Sequence, residues 1–300
     1  FVYGLLLTEK HVRLYQFDRA GAVFSGRVPI HNEATTFVKL ILALSTVDEV
    51  QLGFNDRIRW KNNDLYCIMD GVGTYKICNV KPFHRRTIRG RGTTCWVVED
   101  PDEQGSRLLL KFAWRTLDRV PEWEFLEEIQ RKCGRIPGVS ELRGRGEIER
   151  ISDLRNGAPL LTPTNKTIND RQYYYVFQPF YGRTLEKAPN TLILLEAFRD
   201  IIAAQWELAR LDIVHRDIST QNMLLNERPD AQVGERGVLI DFDMAKRVIR
   251  DKSGAETDFR TGTRVFQSIK VLMGYGTHDY LDDLESSFYG ITWIACTSDR

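Results

Sequence analysis

Apolar and polar residues alternate through the first 30 positions, the pattern of half-buried strands. FVYGLLL, the polar TEK and HVRLYQF predict a β-hairpin, and DRAGAVFSG adds another turn and strand. The period then lengthens: within EATTFVKLILALS (33–45), Phe37, Leu40, Ile41 and Leu44 recur at helical spacing. Short strands are expected at 64–69 and 74–79, separated by the turn former Asp70-Gly71.

The pattern changes from position 87. TIRGRGTTCWVVED reads as strand, glycine turn, strand, and RLLLKFAW (107–114) as a third strand. PEWEFLEEIQRKC (121–133) predicts a helix opened by Pro121, with Phe125, Leu126, Ile129 and Cys133 on its apolar face. RGRGEIER (143–150) is a charged Gly/Arg patch expected to be a solvated loop, and 152–171 is polar and turn-rich. YYYVFQPF (173–180) predicts a buried strand. TLILLEAFRDIIAAQWELARLD (191–212) predicts the longest helix, apolar nearly all round and therefore central to a core. Strands, a helix, a strand and a mostly helical second half make an α+β chain without internal repeats.

Composition bounds the function. With 300 residues the chain can form about two domains. A net charge of +1, from 42 basic and 41 acidic residues, creates no field toward nucleic acid or an acidic membrane, so neither is an expected partner. Five scattered cysteines without a C-x-x-C pair fit a reducing compartment, hence an intracellular, cytoplasmic or nuclear protein. No apolar run approaches a membrane span. Phe1 is not an initiator Met and FYGITWIACTSDR (288–300) stops in or just after an apolar helix, so the chain reads as a fragment.

Four short motifs carry chemistry. IVHRDISTQNMLL places Asp217 and Asn222 five positions apart between apolar flanks. Phosphoryl transfer needs a carboxylate near the attacking hydroxyl and an amide oxygen for a metal, and H-R-D-x-x-x-x-N offers both from one loop. A bare D-x-x-x-x-N reads as a turn; the preceding His215-Arg216 and the following Met-Leu-Leu favour a catalytic loop. In LIDFDM, 19 positions beyond Asn222, Asp241 followed by Phe matches a metal-binding D-F-G start, except that Asp243 replaces the glycine. Glycine permits angles that Asp adopts only with strain, so less freedom to flip is expected here. Lys111 ends the apolar run of LLLKFAW, and the acidic helix after it offers Glu124 or Glu128 as a partner, Glu124 being favoured. IRGRGTTCWVV carries Gly90 and Gly92, a G-x-G that lets backbone N–H groups approach phosphate, with Cys95 in place of a third glycine.

The order of these motifs resembles the eukaryotic-type protein kinase fold from about Lys81 to Trp293. GTRVFQS (262–268) resembles the end of an activation segment, and DLESSFYG (283–290) resembles D-x-W-S-x-G, which implies that Asp283 braces the catalytic loop. More narrowly, FVYGLLL…LYQFDRAGAVFS, KPFHRRTIRGRGT, HRDIS…N and THDYLDDLESSFY are similar to the fungal-type protein kinase family over nearly the whole chain. The resemblance implies a bilobal kinase-like fold. Its parts are a family-specific β-rich extension (1–80), a small lobe of five strands and one helix (81–182), and a helical large lobe (183–300) truncated after its central helix. It implies ATP and Mg²⁺ as cofactors and a protein Ser/Thr hydroxyl as acceptor. Asp217 and Arg216 would work with Lys111 in catalysis, Gly90, Gly92, Lys111 and Glu124 would serve ATP, and Asn222 and Asp241 would hold metal.

Three features depart from that pattern. Ser219 stands where Ser/Thr kinases carry a lysine, Asp243 gives the metal motif an aminoglycoside-phosphotransferase look, and no Glu follows FQS where kinases read A-P-E. The alternatives are therefore a small-molecule kinase or a pseudokinase scaffold. Thr257, Thr261 and Thr263 are candidate phosphorylation sites for pairing with Arg216, against a purely structural role for that arginine.

Overall fold

The computed structural model of the chain describes residues 1–79, 81–84, 89–157, 169–248 and 262–297. Contacts divide the chain into two compact units, Phe1–Arg119 with Gly144–Phe177, and Val120–Arg143 with Gln178–Arg300. Sheet and helix are both well represented, as an α+β chain requires.

The first unit begins with the expected hairpin. β1 (Val2–Leu7) pairs antiparallel with β2 (His11–Phe17), and β3 (Ala22–Phe24) and β4 (Val28–Pro29) both add to β2. α1 (Ala34–Leu44) follows. β5 (Ile58–Lys61), β6 (Asp64–Met69) and β7 (Gly73–Lys76) form a meander. Asn62 and Asn63 turn the first corner with φ of 50° and 67°, the left-handed pair that a tight hairpin demands. A five-stranded sheet comes next. It is built from β8 (Phe83–His84), β9 (Thr94–Glu99) and β10 (Arg107–Thr116), then, after the excursion of α2 (Glu122–Cys133) into the other unit, β11 (Gly144–Arg150), α3 (Ile151–Leu154) and β12 (Arg171–Pro179). The strand order is β11-β12-β10-β9-β8.

Alternation explains the packing. Leu65, Cys67 and Met69 of β6 meet Trp96, Val98, Leu110, Phe112 and Phe177 of the larger sheet in one core. Burial pushes the Cys67 thiol up to about 12, so this cysteine is a small core hydrophobe. β10 is buried on both faces, with Leu110 and Phe112 on one and Lys111 and Ala113 on the other.

RGRGEIER corrects the sequence reading: it is not a loop but the edge strand β11, paired with β12 from Gly144↔Phe177 to Arg150↔Gln172. Its apolar cover comes from the partner. A Cβ on Gly146 would lie 2.5 Å from the Tyr175 hydroxyl, so the tyrosine ring occupies the space that a side chain would fill. Glycine thus hides the alternation that announces a strand.

In the second unit, α4 (Thr191–Arg210) starts at Asn190, whose side chain accepts the Ile193 N–H at 2.9 Å. Leu194, Ala197, Ile201, Ala204 and Leu208 form its buried stripe. Leu192, Leu195 and Trp206 are exposed, so the helix is core along one face rather than all round. β13 (Ile213–Val214), β14 (Met223–Leu225), β15 (Gly237–Leu239) and β16 (Lys246–Arg247) form two short ladders, β13-β16 and β14-β15. α5 (Ile269–Met273) and α6 (Tyr280–Thr297) complete the unit. Phe125, Leu126 and Ile129 of α2 share its core with Phe242 and with Ile294 of α6. Among the described residues no helix is long and apolar enough to cross a membrane.

Candidate functional site

The polar loop 215–222 leaves β13 and re-enters as β14, and its first three N–H groups are all tied down. Asp283 of α6 accepts the His215 N–H at 2.6 Å on one oxygen and the Arg216 N–H at 2.9 Å on the other. The brace expected of Asp283 is therefore present. His278 adds a bond from its Nε2 to Asp283 Oδ1 at 3.0 Å, and both side chains are buried. Arg216 sits at φ 68°, a left-handed conformation that a non-glycine residue keeps only when its surroundings hold it there. Those two N–H bonds contribute to holding it.

His215 fixes the loop from the inside. Its Nε2 lies 3.0 Å from the Ile240 carbonyl, which can only accept, while its Nδ1 receives the Asp217 N–H at 3.3 Å. The two bonds together require the proton on Nε2. Asn222 donates from Nδ2 to the Asp217 carbonyl at 2.8 Å, leaving its amide oxygen as an acceptor. The Ile240 N–H donates to the Asn222 carbonyl at 3.0 Å, which ties Asn222 to the residue preceding Asp241. Asp217, Asn222 and His215 are each less than a tenth exposed.

Asp217 is held by the segment that follows in sequence. Thr263 donates its backbone N–H at 2.9 Å and its hydroxyl at 3.0 Å, both to Asp217 Oδ1. The sequence reading treated Thr263 only as a phosphorylation candidate, whereas its hydroxyl is engaged with Asp217. Thr257 and Thr261 lie outside the described residues.

Asp241 opens a single 3-10 turn, Phe242–Met244. Phe242 is fully buried and stands edge-on to His215, with ring centroids 4.8 Å apart. The left-handed conformation falls on Asp241 itself, at φ 66°, and Asp243 has no positive φ. The replacement of glycine by Asp243 therefore imposes no strain in this conformation.

Asp241 and Asp243 share their surroundings with an acid that sequence reasoning passed over. Glu122, at the start of α2, is fully buried, and one ligand oxygen from each of Glu122, Asp241 and Asp243 lies within 4.8 Å of the others. Three hard carboxylate donors fit a magnesium-type cation. Glu124, favoured from the sequence, is exposed. Glu128 is committed elsewhere: it pairs with Lys132 at 2.6 Å and with Arg247 of β16. The Lys132 hydrogen bond, and then that of Arg247, hold its carboxyl below the usual range against the opposing effect of burial. The signal for Glu122 was its place one turn from the buried Phe125, just inside Pro121.

A second brace involves Asp282, the neighbour of Asp283. Its Oδ1 accepts the Ser268 hydroxyl at 2.6 Å, and Lys270 reaches its Oδ2 at 3.1 Å and Asp279 at 2.6 Å. After FQS, where no acid follows, the charged residue is Lys270, and its partners lie at the start of α6. Burial raises the Asp282 carboxyl, but the Ser268 hydroxyl, the Asp279 N–H and Lys270 outweigh it and the net shift is downward. Adjacent carboxylates on one helix therefore secure the catalytic-type loop and the Ser268–Lys270 segment separately.

The remaining expected residues belong to the first unit. Lys111 is 5% exposed on β10, directly opposite Cys95 of β9, which in turn pairs with Phe83 of β8. Gly90 and Gly92 lie in the β8–β9 connection, both with positive φ. Ser219, where a lysine was expected, is 2% exposed in the second unit. The structure thus gathers Arg216, Asp217, Asn222 and Asp241 in one unit, with Glu124 on its surface, and Gly90, Gly92 and Lys111 in the other.

The chain matches the family described as fungal protein kinase over residues 1–295. No curated protein matches it. The chain belongs to the fungal protein kinase family, and that membership supports a kinase-like phosphotransferase.

Proposed function

From that membership we propose that the protein transfers the γ-phosphoryl group of ATP to a serine or threonine hydroxyl of a protein, with Mg²⁺ as cofactor. The observation that carries the reading is the fixing of Asp217 through Oδ1 by both donors of Thr263. A carboxylate anchored on one oxygen can turn the other to an incoming hydroxyl. Asp217 orients that hydroxyl and takes its proton as the new O–P bond forms and the bond to the ADP leaving group breaks.

Asn222 and Asp241 would hold Mg²⁺, joined by Glu122 and Asp243, whose clustered oxygens support the assignment. Bound there, the cation supplies charge neutralisation at the phosphates. Glu122 is thus the α2 acid of the metal site, while Glu124, expected from the sequence as the partner of Lys111, is exposed. Lys111, Gly90 and Gly92 serve the phosphates of ATP, and Arg216 shapes the loop that presents Asp217.

One pair of observations favours a small-molecule acceptor instead. Ser219 brings no positive charge where protein kinases use lysine, and Asp243 adds a carboxylate beside Asp241. Parallel transfer assays with γ-labelled ATP, using protein mixtures and aminoglycosides as acceptors, separate the readings. Label on protein serine or threonine supports the first, and label only on the small acceptors supports the second. Mg²⁺-dependent ATP binding without transfer to either would point to a scaffold.

A further inference from the structure

Asp18, Arg19, Gly90, Gly92, Trp114 and Arg155 all lie in the first unit. The turn between β2 and β3, which form a second hairpin after β1–β2, is tied down by hydrogen bonds. Asp18 accepts the N–H groups of Ala20 and Gly21 at 2.9 and 3.0 Å, and both of its oxygens pair with Arg155, just after α3, at 2.7 and 2.9 Å. The two side chains are 1% exposed. A fully buried, bidentate pair between residues 137 positions apart fixes the turn onto the larger sheet. Ala20 continues the anchor, packing with Trp114 and Ile151.

The residue between Asp18 and Ala20 faces the glycine connection. The Arg19 carbonyl accepts the Gly90 N–H at 3.1 Å. The Arg19 guanidine covers Gly92: a Cβ there would lie 2.4 Å from its Nε and Cζ. Gly92 itself has φ 54°. Between the two glycines, the Arg91 carbonyl accepts the Trp114 N–H at 2.8 Å, from the end of the strand that carries Lys111. Gly90 and Gly92 both turn the chain with positive φ, and Gly92 also admits the Arg19 guanidine into space that a Cβ would take.

We propose that Arg19 is a positioning residue for the Gly90–Gly92 connection, so that the β2–β3 hairpin sets the affinity for the nucleotide. This rests on the assignment of Gly90 and Gly92 to ATP phosphates. The Gly90 N–H is already committed to Arg19, so Gly90 serves the nucleotide through the shape of the turn rather than through its own N–H. The hairpin is then a working part of the nucleotide site.

The test measures Mg·ATP affinity and turnover for the wild type, Arg19→Ala and Arg19→Lys, with melting temperatures to confirm folding. Hydrogen–deuterium exchange over 89–94 reads the clamp without nucleotide. Arg19→Ala is expected to speed that exchange and to raise KM and Kd for Mg·ATP about tenfold, with a much smaller change in kcat. Arg19→Lys, which lacks the planar fork, should restore only part of the affinity. Unchanged exchange and affinity in Arg19→Ala overturn the proposal. Should Arg19→Ala fail to fold, the same comparison of affinity and exchange in Arg19→Lys decides. Wild-type protein that binds no Mg·ATP would overturn the functional reading instead, and the exchange experiment would still report whether Arg19 holds the connection.

Discussion

Thr263 gives both its backbone N–H and its hydroxyl to a single oxygen of Asp217, at 2.9 and 3.0 Å. Hydrogen bonds to a charged group contribute about 1.5–3 kcal/mol. Thr263→Val, which keeps the shape and the backbone bond, should therefore lower kcat by roughly tenfold to a hundredfold with little change in ATP affinity. Thr263→Ser should stay close to wild type. Thr263→Glu, which sets a second negative charge against Asp217, should be inactive. Wild-type turnover in Thr263→Val would detach this contact from catalysis.

The acids of α2 separate cleanly. Glu122 is fully buried beside Asp241 and Asp243, whereas Glu124 is exposed. Glu122→Gln should weaken the Mg²⁺-dependent increase in melting temperature given by ATP, and Glu124→Gln should leave it intact. Thermal-shift titrations with and without Mg²⁺ decide the matter. An unchanged Mg²⁺-dependent increase in Glu122→Gln would remove Glu122 from the metal site.

Asp282 gives the second unit an acid limit. Its carboxyl is held below the ordinary value in the folded state, despite burial, by Ser268, the Asp279 N–H and Lys270. Such a group stabilises fully above the unfolded pKa of about 3.9, and the contribution is lost as pH falls through the lower folded value. Melting temperature should thus decline below about pH 4. Asp282→Asn should start lower at neutral pH and show a shallower decline. A parallel pH profile in that variant would exclude Asp282 as a source of acid sensitivity.

The Asp18–Arg155 pair should be the most sensitive single contact of the first unit. Removing one partner of a buried pair leaves an uncompensated charge and costs about 3–5 kcal/mol. Arg155→Ala should lower the denaturation midpoint of the chain accordingly. A loss below about 1 kcal/mol, typical of an exposed pair, would show that the pair is not closed in solution.

Much of this was legible in the sequence because the pattern and the chemistry were local. The alternation of β6 and the 3–4 spacing of α4 announced their elements, and D-x-x-x-x-N announced its loop. Asp283 was legible as a brace through its motif, and its bonds to His215 and Arg216 are present. What stayed hidden depended on contacts distant in sequence. β11 draws its apolar cover from Tyr175 and Phe177, so its own residues look like a loop. Glu122 and Glu124 are two positions apart, and only the packing of α2 puts one inside and the other outside. The Lys270–Asp282 pair joins residues on two separate elements, so no local motif announces it.

Transfer of label from γ-labelled ATP by the wild type and by Asp217→Asn, with Mg²⁺ or with chelator, tests the central claim most directly. Mg²⁺-dependent label on protein serine or threonine is predicted for the wild type. In Asp217→Asn the rate should fall by about a hundredfold or more while ATP affinity stays nearly intact. Equal transfer by the two proteins, or no transfer by wild-type protein that binds Mg·ATP, would contradict it.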